Sequence, residues 1–241
     1  MQAVILAAGM GSRIRDIHAL PKGFILLGEQ TIIEQSIMKL KDRGIHNILI
    51  VTGYAAHHYD VLSKSHDITT IFNPHYNDYG SLYSLYCAKK WIGEDFLLLE
   101  SDIFYEAHAL DKIIQDENPT SILISGETQS GDEVYVQAQG NKLIKMSKQK
   151  NTLEVQDIVG EFVGINKIAL RDFQYLINKL ESNPMVLQSG HYEEDGLVML
   201  AKDCDITCLK IPDLLWGEID NSAHLQRAKK IHEIIENECV V

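Results

Sequence analysis

The sequence predicts an α/β protein, a mostly parallel mixed sheet flanked by helices. Three observations carry this. Strand-like and helix-like segments alternate along the chain. Val4-Ile5-Leu6 and Phe96-Leu97-Leu98-Leu99 are unbroken apolar runs, the pattern of buried strands. Each run empties into residues suited to ligands: Ala7-Ala8-Gly9-Met10-Gly11-Ser12-Arg13 after the first, Glu100-Ser101-Asp102 after the second. In open α/β sheets ligands sit at the carboxyl ends of the strands.

Val4–Ala7 is read as the first strand. Ile32, Ile33, Ile37 and Leu40 recur at helical spacing, so 31–43 is a helix ended near Gly44. Strands at 47–52 and 68–72 follow, with a helix over 55–65 between them. Asn73 to Gly80 is a polar, turn-rich loop before a helix over 82–91. Strands at 96–99 and 121–125 bracket a helix over 107–115. Segments 133–137 and 143–147 pair as a hairpin around Gly140-Asn141. A short strand at 162–165, helices over 168–180 and 193–202, a strand at 206–211 and a closing helix over 224–238 complete the order. Residues 1–241 are expected to form one domain. Its nucleotide-binding part is placed at about 1–125, a small substrate-binding lobe at about 126–220, and the closing helix at 221–241.

The formal net charge of −12 argues against a nucleic-acid or anionic-membrane partner, which needs a basic face. Between Ser12 and Lys22 the balance reverses: Arg13, Arg15 and Lys22 stand against Asp16 alone. That local basic charge suits an anionic ligand. No run approaches membrane-spanning length, and Met1-Gln2 leads straight into the first strand without a signal-peptide pattern. Cys87, Cys204, Cys208 and Cys239 lack C-x-x-C spacing, which disfavours zinc; free thiols fit a cytoplasmic location.

The Ala7–Gly11 loop has no bulky branched side chain, so backbone N–H groups can lie against phosphate oxygens, and glycine permits positive φ. Arg13 and Lys22 bring charge to the same oxygens. The loop lacks the third glycine of G-x-G-x-x-G and is not a G-x-x-x-x-G-K-[ST] loop. A nucleoside triphosphate is the simplest ligand. As a loop residue Lys22 is expected to matter little to folding. Asp102 is a natural hard-oxygen ligand for Mg²⁺. Asp220 reads as the cap of the last helix, as a second Mg²⁺ ligand, or as both. Ser81 and Ser84, one turn apart, form an anion site or a plain cap. Glu161, Tyr192, Glu193 and Trp216 suggest a pocket for a small cation, against the alternative of a solvated acidic helix start.

The string L-A-A-G-x-G-S-R…P-K, here Leu6 to Arg13 with Pro21-Lys22, resembles the signature of the sugar-nucleotidyltransferase-like superfamily. That implies a nucleotide-diphospho-sugar transferase-like, Rossmann-like fold. It also implies transfer of a nucleotide to a phosphorylated small molecule with release of pyrophosphate. The chain resembles 2-aminoethylphosphonate cytidylyltransferases over nearly its whole length, including Gly160-Glu161-Phe162-Val163-Gly164-Ile165 and Glu218-Ile219-Asp220-Asn221. The aromatic loop Tyr76…Tyr79…Ser81-Leu82-Tyr83-Ser84 instead resembles choline-phosphate cytidylyltransferases of the LicC type. The resemblance implies a Mg²⁺-dependent cytidylyltransferase in which Lys22 and Arg13 are catalytic and Asp102 and Asp220 hold the metal. Leu6, Ala7, Ala8, Gly9, Met10, Gly11, Ser12, Thr52, Gly53, Gly80, Ser81 and Ser101 would bind CTP. Tyr83, Ser84, Glu161, Tyr192, Glu193 and Trp216 would bind a small phosphonate or phosphate amine, with 2-aminoethylphosphonate placed ahead of phosphocholine. A nucleotide-binding regulatory domain without chemistry is the reading of a different class. The sequence leaves the oligomeric state open, a homodimer included.

Overall fold

The computed structural model describes residues 1–238, so Cys239 and the end of the expected closing segment lie outside the described residues. The first half alternates strand and helix. It comprises β1 (Gln2–Ala7), β2 (Leu26–Leu27), β3 (Gln30–Thr31), α1 (Ile32–Lys41), β4 (Ile48–Thr52), α2 (His57–His66), β5 (Thr69–Phe72), α3 (Ser81–Cys87), β6 (Phe96–Glu100), β7 (Ile103–Tyr105), α4 (His108–Gln115) and β8 (Ser121–Ser125). The second half holds β9 (Tyr135–Gln139), β10 (Lys142–Ser147), β11 (Ile158–Ile168), α5 (Leu170–Ser182), α6 (Glu193–Ala201), β12 (Thr207–Ile211), β13 (Trp216–Glu218) and α7 (Ser222–Glu238).

Nine strands form one sheet in the order β5-β4-β1-β6-β11-β8-β12-β10-β9. Strands β5, β4, β1 and β6 run parallel, as do β8 and β12. β11 is antiparallel to both β6 and β8, and β9 and β10 pair antiparallel, so the sheet is mixed. Neighbouring segments can pair antiparallel through short turns, whereas parallel pairs need a crossover. Ala7, Thr52, Phe72 and Glu100 therefore end at one edge, where the candidate site is built.

Alternation along the strands divides the core. Val4 and Leu6 face a cluster with Leu82, Leu85, Phe173, Leu176, Leu197 and Leu200 from α3, α5 and α6. Ala3, Ile5 and Ala7 face Ile33, Ile37, Leu40, Leu62, Leu110 and Ile113 from α1, α2 and α4. Helices on both faces explain why β1 is apolar throughout. Helix α1 starts with a capping box: Thr31 Oγ1 accepts from the Glu34 N–H, and the Thr31 N–H donates to Glu34 Oε2.

Six elements differ from expectation. β11 is not a short strand at 162–165 but eleven residues long, crossing Gly164 at φ +80°. There a Cβ would lie 2.9 Å from the Glu100 carboxyl carbon, so glycine is needed on both counts. The helix expected over 82–91 ends at Cys87 and continues as a single 3₁₀ turn to Lys90. The two-stranded pairs β2–β3 and β7–β13 had no signal in the sequence, their strands being two or three residues long. Among the described residues no helix is long and apolar enough to cross a membrane.

Candidate active site

Beyond Ala7 the chain leaves the sheet and turns through Gly11 at φ +58° into a 3₁₀ turn, Ser12–Ile14. Ile14 is buried with Ile25, Leu27, Phe104, Ile219 and Ala228, which anchors the turn and leaves Arg13 half exposed above it. Pro21 opens a second 3₁₀ turn that carries Lys22. The Lys22 side chain passes over Gly11, whose Cβ would stand 3.2 Å from Lys22 Cγ.

The β7–β13 pair closes the site. Glu218 aligns with Ile103, and the Ile219 N–H donates to the Asp102 carbonyl at 3.1 Å. Asp102 and Asp220 thereby meet around one ammonium. Lys22 Nζ donates to Asp102 Oδ2 at 2.6 Å and to Asp220 Oδ1, and lies 3.8 Å from Glu218 Oε1. Arg13 pairs with Asp220 at 2.8 Å and with Asp132 at 3.1 Å; Asp132 also pairs with Lys148 at 2.9 Å. Lys22 is only 14% exposed and Asp220 fully buried, so the expectation that Lys22 is indifferent to folding is corrected: it neutralises a buried carboxylate.

The titration shifts follow this geometry. Burial would lower the Lys22 ammonium, but Asp102, Asp220 and Glu218 outweigh it and hold the group above its ordinary value. Burial would raise Asp132, but hydrogen bonds with Asp220, Lys148 and Arg13 hold it below the carboxylate range. Glu218 is pushed up to about 9 by burial and by the charges of Asp102 and Asp220. Carboxylate oxygens of Glu100, Asp102 and Glu218 lie within 4.8 Å of one another, as do those of Asp132, Glu218 and Asp220. Asp220 Oδ2 is buried and makes no hydrogen bond. An all-carboxylate donor set with one oxygen unused fits a hard divalent cation such as Mg²⁺.

All of these groups except Asp220 line a cavity of about 710 Å³ at the strand ends. Of the residues singled out in the sequence, Leu6, Ala7, Ala8, Gly9, Met10, Gly11, Ser12, Arg13, Lys22, Gly80, Ser81, Ser84, Ser101, Asp102, Glu161, Tyr192, Glu193 and Trp216 border it. Gly53, Thr52 and Tyr83 do not. Gly53 lies beneath Tyr76 and the Ala8 carbonyl, where a Cβ would come within 2.4 and 2.6 Å of them. Thr52 is buried and its hydroxyl faces the Ile71 carbonyl at 3.4 Å. Gly53 thus packs directly under the loop that follows β1. Tyr83 stacks edge-on with Tyr79 at 5.1 Å and packs against the core, turned from the cavity by its place on α3. Asp220 sits under the cavity wall and reaches it through Lys22 and Arg13.

The two acids read as one cation pocket both border the cavity but have different partners. Glu161 accepts from the Thr128 N–H at 2.6 Å and hydroxyl at 3.0 Å, and its charged neighbours are Glu133 and Arg227. Glu193 accepts from the Ser81 hydroxyl, and its N–H donates to Ser81 Oγ at 3.1 Å, which ties α6 to α3. Glu193 instead faces Glu100 and Glu194: burial and then the Glu193 charge raise Glu100 well above its ordinary value and push Glu194 up to about 8. Trp216 is 5% exposed with its indole N–H on Ser125 Oγ at 2.9 Å, so it forms floor rather than an open aromatic face. The sequence reading assigned no role to Glu100, Asp132, Lys148, Glu218, His224 or Arg227, all of which border the cavity, as does Glu194, one of the acids beside Tyr192 read as a cation pocket. Glu100 and Glu218 stood beside singled-out acids, a usable signal; Lys148 and Arg227 stand in ordinary amphipathic surroundings and gave none.

Comparison with known proteins matches the MobA-like NTP transferase domain to residues 3–154. The choline-phosphate cytidylyltransferase of Streptococcus pneumoniae is 35% identical over 99 residues, 41% of this chain and 43% of that protein. The CMP-5'-(3-aminopropyl)phosphonate synthase of Streptomyces rubellomurinus is 23% identical over 242 residues, 95% of this chain and 38% of that protein. The chain thus spans less than half the length of these two relatives. The inositol-1-phosphate CTP transferase of T. maritima superposes with a TM-score of 0.80 at 17% identity, covering 98% of this chain and 96% of the other, which shows the shared fold.

Proposed function

This chain belongs to the MobA-like NTP transferase family, and from that premise we propose that it transfers CMP from CTP to a small phosphonate or phosphate amine, foremost 2-aminoethylphosphonate, releasing pyrophosphate. One observation carries the choice of acceptor. The cavity has a cationic wall, Arg13 and Lys22, and three carboxyl groups, Glu100 at the end of β6 with Glu193 and Glu194 at the start of α6, without an ion-pair partner among the described residues. A primary ammonium donates three hydrogen bonds and suits such carboxyls. A trimethylammonium donates none and wants aromatic faces. Of the three rings read for that role, Tyr83 is turned away and Trp216 is fixed on Ser125.

In this reading an acceptor phosphoryl oxygen attacks the α-phosphorus of CTP in line. The bond to the bridging oxygen breaks and pyrophosphate departs. No protein nucleophile is needed; positioning and charge stabilisation supply the catalysis. Lys22 and Arg13 exchange carboxylate partners for phosphoryl oxygens and offset the charge that grows there. The backbone from Ala7 to Gly11, with Gly80 and Ser81, frames the nucleotide. Asp102 and Asp220 would hold Mg²⁺, which when bound would supply Lewis acidity. Cytosine preference rests on the relatives, whose names specify CTP or CMP chemistry. A cytoplasmic setting goes with free Cys87, Cys204 and Cys208.

A phosphocholine acceptor is the second reading, favoured by the streptococcal relative. Steady-state kcat/KM with CTP, Mg²⁺ and each acceptor decides between them. 2-Aminoethylphosphonate is expected to be the better substrate. Phosphocholine turned over about tenfold better would reverse the order, and equal turnover of UTP with a sugar 1-phosphate would remove the cytidylyltransferase reading.

A further inference from the structure

Four cationic side chains border the cavity: Arg13, Lys22, Lys148 and Arg227. The first three are clamped. Arg13 is held by Asp132 and Asp220, Lys22 by Asp102 and Asp220, and Lys148 by Asp132. Arg227 makes no ion pair within 4 Å and no side-chain hydrogen bond among the described residues; Glu161 feels its charge at longer range. One turn earlier on the same face of α7 stands His224, which also borders the cavity. His224 is 8% exposed. Its Nε2 lies 3.2 Å from the Ser130 carbonyl, which accepts only if that nitrogen carries the hydrogen. Its Nδ1 is buried and makes no hydrogen bond. A buried polar atom without a partner is costly, and here it stands beside an unpaired guanidinium at the head of a 17-residue helix.

The backbone around these two residues is already committed. The His224 N–H is capped by Asn221 Oδ1 at 3.0 Å, so the two side chains, and not the helix end, offer the free donors. Ala228, next along, packs against Ile14 and Ile25, the residues that anchor the segments bearing Arg13 and Lys22. Arg227 is therefore fixed relative to the phosphate loop although it lies far along the chain.

We propose that Arg227, with His224, is a second phosphoryl-binding subsite of this cavity, seating a phosphate or phosphonate group that Lys22 and Arg13 do not hold. The inference rests on the nucleotidyltransferase reading but on neither the base nor the headgroup. A guanidinium can grip two phosphoryl oxygens at once, and the imidazolium form of His224 adds an Nδ1–H donor. The group held belongs either to the β,γ end of the triphosphate or to the acceptor. Both present the same chemistry.

The test is titration calorimetry of the full chain with inorganic pyrophosphate and, separately, with 2-aminoethylphosphonate, on wild type, Arg227→Ala, Arg227→Lys and His224→Ala. Thermal melting confirms that each variant folds. Arg227→Ala is expected to weaken one probe by about tenfold or more, Arg227→Lys to recover part of it, and His224→Ala to weaken the same probe. Loss confined to pyrophosphate assigns the subsite to the triphosphate; loss confined to the phosphonate assigns it to the acceptor. Unchanged binding of both probes in a folded Arg227→Ala protein overturns the proposal. The outcome does not depend on turnover, so a wrong headgroup and a wrong subsite remain distinguishable. If Arg227→Ala alone melts too low to study, Arg227→Lys and Arg227→Gln carry the same comparison.

Discussion

Replacing Lys22 with alanine tests how the site is held together before any ligand arrives. In the wild type Lys22 Nζ sits 2.6 Å from Asp102, in contact with Asp220, and 3.8 Å from Glu218. Asp220 is fully buried, and Lys22 itself is 14% exposed. Removing one partner of a buried pair costs about 3–5 kcal/mol, because the other charge is left in low dielectric. One feature reduces that figure: Arg13 Nη2 still donates to Asp220 at 2.8 Å. A loss of about 2–4 kcal/mol follows, which lowers Tm by roughly 4–16 °C in a chain of this size. The freed carboxylates should bind divalent cation better, so millimolar Mg²⁺ should restore more Tm to Lys22→Ala than it adds to wild type. Differential scanning calorimetry at pH 7, with and without Mg²⁺, reads both effects. Activity should fall by about 10²-fold in kcat/KM, from lost charge stabilisation of the transition state. A Lys22→Ala protein that melts within about 2 °C of wild type would refute the account of Lys22 as the counter-charge of a buried carboxylate.

Asp102→Asn and Asp220→Asn should each raise the Mg²⁺ concentration needed for half-maximal turnover, and EDTA should abolish turnover; full activity in Asp220→Asn would remove that residue from the metal site. Glu194 carries a folded-state pKa of about 8 against an ordinary 4.5, because burial and Glu193 disfavour its charge. Below its unfolded value both states hold the proton; between the two values only the folded state does, so stability falls as pH rises through that window. Glu194→Gln removes this penalty, and its Tm advantage over wild type should be larger at pH 8 than at pH 5, an equal advantage at both being the contrary result. Gly80→Ala would place a Cβ 2.0 Å from the His191 carbonyl oxygen, so the loop before α6 must shift. Nucleotide KM should rise several-fold and Tm should drop by a few degrees, about 1–3 kcal/mol of strain; unchanged values for both would show that the loop yields freely.

What the sequence determined is local. The apolar run of β1, the glycines after it, Arg13, Lys22 and the acid after β6 follow from composition at one strand end, because a buried parallel strand must be apolar throughout and its carboxyl edge is the open one. The α1 capping box was equally local, since Thr31 and Glu34 are three residues apart. The tertiary structure alone decided which distant side chains meet. Asp220 reaches Lys22 across 198 positions only because β13 pairs with β7 in the register that sets Glu218 against Ile103. A slip of one residue would turn Glu218 to the other face, since strand side chains alternate. The same holds for Ser81 with Glu193, 112 positions apart, and for the different partners that Glu161 and Glu193 find around one cavity. β11 runs past the end of β6 and carries Glu161 to Thr128 and Arg227, while α6 brings Glu193 to Ser81. Charge type and spacing are written along the chain; which charge neutralises which is fixed by strand register and helix packing, and no local pattern encodes that.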